Sequence, residues 1–90
     1  MMTAVFEAGN VSGATKAFVA PGVTPGNHLA YCVDAMPIVD DTVIGAIIYV
    51  PGNNITGVAA GKVVNLYELT SENKVVASVA HTLVANEIKT

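Results

Sequence analysis

Nearly a third of this chain is β-branched: valine and isoleucine supply 21 residues and threonine eight. Such side chains lose rotamer freedom against the preceding turn of a helix and sit well on a pleated surface. The default reading is therefore strand, and the punctuation agrees. Pro-Gly occurs three times, at Pro21-Gly22, Pro25-Gly26 and Pro51-Gly52. In each pair proline presets the first central dihedral of a type II turn, and glycine accepts the positive φ of the second.

Short apolar runs lie between these marks. They cover residues 3–7, 15–20, 29–33, 42–50, 55–60, 62–69 and 75–85, with residues 37–39 as a short edge segment because Pro37 cannot donate to a ladder. Residues 42–50 form the strongest run, with six β-branched residues in nine and apolar side chains on both parities. That pattern predicts a central strand, since Ile47-Ile48-Tyr49-Val50 on an open edge would recruit other chains. Residues 62–69 and 75–85 read as a hairpin joined through Thr70-Ser71-Glu72-Asn73-Lys74. The last run has a helical alternative near 72–86, because Val76, Val79, Ala80, Leu83 and Val84 also follow an amphipathic stripe with Ser71 as N-cap. Strand is preferred there, as β-branched residues disfavour helix. The expected fold is all-β, a compact antiparallel sandwich or small barrel of about six or seven short strands; the alternative is α+β with a C-terminal helix.

Length and charge bound the function. Ninety residues fit one domain, 1–90, with residues 1–8 as a possible N-terminal arm. Seven acidic and four basic residues give a net charge of −3, and all four cations are lysines spread along the chain. No basic patch for nucleic acid results. No stretch is long enough to span a membrane as a helix, and Met1 to Phe6 runs straight into Glu7, Ala8, Gly9 and Asn10, unlike a secretory signal. One cysteine, Cys32, forms no internal disulfide.

The reactive residues are Cys32, His28, His81, Asp34, Asp40, Asp41, Glu7, Glu68, Glu72 and Glu87. A Cys-His nucleophile needs its two side chains within hydrogen-bond reach, and His28 and Cys32 on one extended strand lie about 13 Å apart. Asp34, Asp40 and Asp41 with Asn53 or Asn54 offer oxygen ligands but not the spacing of a calcium loop, and aspartates beside turns commonly cap local backbone. The same carboxylates as a glycosidase pair would lack any tryptophan for sugar stacking. Gly52 to Gly61 lacks the form of a phosphate loop. Asn10-Val11-Ser12 and Asn54-Ile55-Thr56 fit the glycosylation triplet but read as turns. The expectation is a protein that is not an enzyme and carries no cofactor and no metal.

The surface remains. With 47 apolar and 11 charged residues, some Val or Ile is left outside a single small core. Low-charge faces suit repeated interfaces, because charge is depleted from interface cores. Self-association or docking on a larger array is the leading inference. A chain rich in Ala, Val, Thr, Gly and Asn, with β runs and no reactive cluster, resembles the small decoration or cement proteins of tailed-phage capsids. That resemblance implies a trimer or dimer that binds a major capsid or other shell protein, on a virion made in the host cytoplasm. On this view Met1, Met2, Thr3, Ala4, Val5 and Phe6 form an interface arm that adds a strand to a neighbouring sheet. Deleting residues 1–6 should then weaken assembly and leave the fold. The alternative is a small ligand-binding β-barrel in which Tyr31, Tyr49 and Tyr67 line a cavity.

Overall fold

Ala8, Gly9 and Asn10 end one strand and turn the chain back into the next. In the computed structural model, which describes residues 2–20, 22–34, 38–39, 42–43 and 46–90, β1 (Thr3–Ala8) pairs antiparallel with β2 (Thr15–Ala20), from Thr3 opposite Ala20 to Ala8 opposite Thr15. β3 (His28–Val33) then pairs with β7 (Val63–Leu69), and β7 with β8 (Val75–Thr82). Together with β6 (Ile47–Ile48) they form a four-stranded antiparallel sheet in the order β6-β3-β7-β8. β4 (Ile38–Val39) and β5 (Thr42–Val43) pair with each other, and Thr42 also bridges Lys74.

The chain is all-β. Its only helical element among the described residues is a three-residue 3-10 turn, Ala85–Glu87, and no helix there is long and apolar enough to cross a membrane. Strand, not helix, holds residues 75–82. Alternation along β8 half-buries Val75, Ala77, Val79 and His81 and exposes the residues between them.

Alternation also decides where the core sits. Phe6 from β1 and Ala17 from β2 pack with Met2 against Leu29, Val64 and Leu66, which face them from β3 and β7. The β1-β2 hairpin thus covers one face of the larger sheet, a two-layer arrangement. Ala30, Cys32, Tyr67 and Leu69 occupy the opposite face as a second cluster, against which Ala46 and Val75 pack.

Two Pro-Gly pairs turn as expected. Asn27 N–H donates to Thr24 O at 3.0 Å around Pro25-Gly26, and Asn53 N–H donates to Val50 O at 3.0 Å around Pro51-Gly52. Both glycines have φ near +91°, the region that type II turns demand and L side chains avoid. Pro21, of the first pair, lies outside the described residues.

Two expected strands are corrected. Residues 42–50 are not one central strand: β5 belongs to the local β4-β5 ribbon, and β6 is a two-residue edge whose Ile47 and Ile48 are 57% and 72% exposed. The physical reason is Tyr49. Its N–H still bonds Leu29 O of β3 at 2.8 Å, but its ring turns into the core, where it meets Tyr31 edge-on at 5.5 Å, and its hydroxyl reaches across to β2. Residues 55–60 form no strand either. Ile55 makes an isolated bridge with Thr15, after which Gly57 takes φ 73°.

Candidate functional site

The reactive residues named from the sequence do not converge. Cys32 is buried on one face of the four-stranded sheet, whereas His81 faces the other, since Cys32 stands opposite Asn65 and His81 opposite Val64. The sheet itself separates thiol from imidazole. Cys32 Sγ instead contacts Asp34 O at 3.5 Å and Asn65 Nδ2 at 3.7 Å.

Asp34 acts as the turn residue its position suggests. Its backbone adopts φ 64°, and its carboxylate accepts from Lys62 Nζ at 3.2 Å and from Val63 N–H at 3.4 Å. The hydrogen bond from Lys62, then that from Val63, hold this carboxyl below its ordinary pKa, outweighing desolvation. Asp40 and Asp41 lie outside the described residues. Among the described residues no three His, Cys, Asp or Glu side chains are grouped to hold a metal ion. Asn54 Oδ1 accepts the Asn10 N–H at 2.7 Å, so the two glycosylation-like triplets meet as linked turns. Glu7 pairs with Lys16 at 3.4 Å on the surface, and Glu72 sits exposed in the β7-β8 loop.

Two carboxylates have roles that the sequence did not reveal. Glu68 is buried on β7, on the same parity as Val64 and Leu66. It accepts from Asn27 Nδ2 at 2.8 Å and Thr24 N–H at 3.1 Å, fastening the Pro25-Gly26 turn to the sheet. The bond from Asn27 leads in lowering its pKa. Glu87, in the 3-10 turn, places its two oxygens 2.8 and 3.0 Å from His81 Nε2 and accepts the Val84 N–H at 3.0 Å. Burial pushes the Glu87 pKa up, but the Val84 and His81 contacts outweigh it and the net shift is downward. Both groups tie distant parts of the fold together.

The tyrosine-lined cavity does not form. Tyr31 and Tyr49 meet in the core between the layers, while Tyr67 belongs to the cluster on the opposite face. The Tyr49 hydroxyl is fully engaged, accepting from Ala17 N–H at 2.9 Å and donating to Asn53 O at 2.7 Å.

Several large apolar side chains lie at the surface. Ile47, Ile48 and Val50 are exposed on either side of buried Tyr49. Val5 and Phe18 are cross-strand partners on the outer face of the β1-β2 hairpin, and both are exposed. Gly52 lies against the Phe18 ring, where an added Cβ would approach to 3.3 Å. Of the expected interface residues, Met1 lies outside the described residues. Met2 and Phe6 are buried in the core, Ala4 is half-buried, and Thr3 and Val5 face out.

Comparison with known proteins supplies the context for that surface. No curated protein and no solved structure matches the chain. A family model does match, that of the S-layer protein SbsC C-terminal domain, over residues 7–86. It overturns the resemblance to phage decoration proteins, and with it the capsid shell partner, the virion location and assembly in a host cytoplasm. The family is structural and non-catalytic, in keeping with reactive side chains that are scattered or tied into the fold. A match that begins within β1, ends inside the 3-10 turn and takes in every strand between them spans nearly the whole chain, which therefore belongs to the S-layer protein SbsC C-terminal domain family.

Proposed function

We propose that this chain is a self-associating module of a cell-surface layer, whose copies cover one another's apolar surface. The observation that carries the reading is the exposure of Ile47, Ile48, Val50, Val5 and Phe18 on a chain with only 12% charged residues. Exposed aliphatic and aromatic groups lose little on desolvation and gain about 25 cal/mol for each Å² covered. In a repeated lattice, many such modest contacts add through avidity. Membership of a structural, self-associating family supports the same view.

The N-terminal stretch Met1 to Phe6 belongs to this reading through its exposed residues. Deleting it would remove Met2 and Phe6 from the core, so the truncation cannot separate assembly from folding. Val5→Lys can, because Val5 is 67% exposed and faces away from the core.

Size-exclusion chromatography with light scattering tests the proposal. Wild-type protein should associate with rising concentration, and Val5→Lys and Ile48→Lys should each weaken association while leaving the circular dichroism spectrum unchanged. A wild-type chain that stays monomeric at every concentration would overturn it.

A further inference from the structure

β8 is an open sheet edge from Ser78 to Thr82, whereas at its start Thr42 of β5 bridges Lys74. Leu83 exchanges hydrogen bonds with the Gly61–Lys62 segment, its N–H donating to Lys62 O at 2.8 Å and its C=O accepting from Gly61 N–H at 2.9 Å. By alternation, His81, Val79 and Ala77 also direct their backbone groups inward to β7. The N–H and C=O groups of Ser78, Ala80 and Thr82 therefore point away from the sheet, and no described residue bonds them. Natural edges are usually blunted by lysine, proline or a strong bulge. Residues 75–82 contain no charge, no proline and no glycine, and the one irregularity lies near Val75, at the start of the strand.

The layer next to β8 is also incomplete. Val64 and Leu66 on β7 are wholly buried, whereas their partners His81 and Val79 on β8 are only half-buried. β1 flanks the same side of the molecule, since the Phe6 ring lies on His81 at 4.5 Å.

We propose that this edge is completed by β8 of a second copy, paired antiparallel about a two-fold axis at Val79. The inference rests on the self-association proposed above and names its contact. In this register Ser78 faces Ala80 of the second copy and Ala77 faces His81. About four to eight inter-chain hydrogen bonds form, according to how far the ladder extends. A two-fold contact juxtaposes each strand with itself, so a charged edge would repel; this one carries no charge to repel. The small Ser78 and Ala80 side chains let the strands approach. The pairing would join the two four-stranded sheets and continue the half-buried row of Ala77, Val79 and His81 into the neighbour.

Three variants of the full chain test it. Ala80→Pro removes an N–H that has no partner within the chain, a position where an edge strand tolerates proline. Ser78→Lys sets an ammonium on each strand beside the two-fold axis, and it serves as the edge-blocking variant if Ala80→Pro fails to fold. Val79→Cys places two thiols opposite each other at the axis, within the Cβ separation of a disulfide. Expected results are association weakened about tenfold or more for the edge-blocking variants, and a covalent dimer of Val79→Cys under mild oxidation. Association of the wild type that the edge variants leave undiminished, or a failure of Val79→Cys to cross-link, would refute the β8 contact while leaving self-association standing. A wild type that never associates would instead remove the reading beneath it.

Discussion

The His81 imidazole lies flat on the Phe6 ring, centroids 4.5 Å apart and planes within 9° of parallel. Phe6 comes from β1 and His81 from β8, so the stack joins the two layers near their open flank. Glu87 fixes the imidazole from behind: a carboxylate only accepts, which places a proton on His81 Nε2. Phe6→Ala should lower stability by about 3–5 kcal/mol, the usual cost of removing a buried phenyl ring. Denaturant unfolding of Phe6→Ala, His81→Ala and the double variant would show a coupling energy of about 0.5–1.5 kcal/mol if the stack itself is stabilising.

Acid should destabilise the fold through three carboxyls. Asp34, Glu68 and Glu87 all have folded pKa values below their ordinary ones, for the hydrogen-bonding reasons given above. A depressed folded pKa contributes stability that is fully present above the unfolded value, about 4 for Asp and Glu, and is lost as pH falls through the folded value. The unfolding midpoint should therefore be flat near neutrality and drop below about pH 4.5. Glu87→Gln removes one titrating group, so its acid-side slope should be shallower than that of the wild type.

Local features were legible in the sequence, and long-range ones were not. Pro25-Gly26 and Pro51-Gly52 turn as read because proline and glycine fix dihedrals regardless of context. The hairpin of β7 and β8 was legible from its flanking runs, and its Asn73 takes φ 64° as a turn asparagine does. The fastening role of Glu68 is not legible in the sequence because its partners Thr24 and Asn27 lie 44 and 41 positions away. Residues 42–50 depart from the expected central strand for a more instructive reason. An apolar run on both parities signals burial, but not whether the chain itself or a neighbour supplies the cover. The capsid resemblance failed similarly: low charge and β-branched strands describe any self-associating β module, whereas the pattern over residues 7–86 identifies one family.

Gly9 is required by space, not by dihedral freedom. A Cβ there would lie 2.7 Å from Asn54 Oδ1 and 2.8 Å from Ala14 Cβ. Neither neighbour is free to yield. Ala14 O accepts from both Gly9 N–H and Lys89 N–H at 2.9 Å, and Asn54 Oδ1 accepts from Asn10. Gly9→Ala should cost about 1–3 kcal/mol, the range for overpacking, and appear as a lowered thermal midpoint. An unchanged midpoint would show that the two turns separate more easily than their hydrogen bonds imply.

Tyr49 tests how the chain crosses from β6 to the second layer. Its hydroxyl is the acceptor for the buried Ala17 N–H and donates to Asn53 O, while Gly52 N–H bonds Ala17 O at 3.0 Å beside it. Tyr49→Phe keeps the ring in the core but strands the Ala17 N–H without an acceptor. Leaving a buried donor unsatisfied costs about 1–3 kcal/mol, so equilibrium unfolding should register a loss in that range. Because the lost contact anchors residues 49–55 to β2, amide exchange should accelerate first at Ala17 and Asn53, with β7 still protected. Uniform acceleration would mean that this crossing opens only with the whole domain, and no loss of stability would mean that water replaces the phenol.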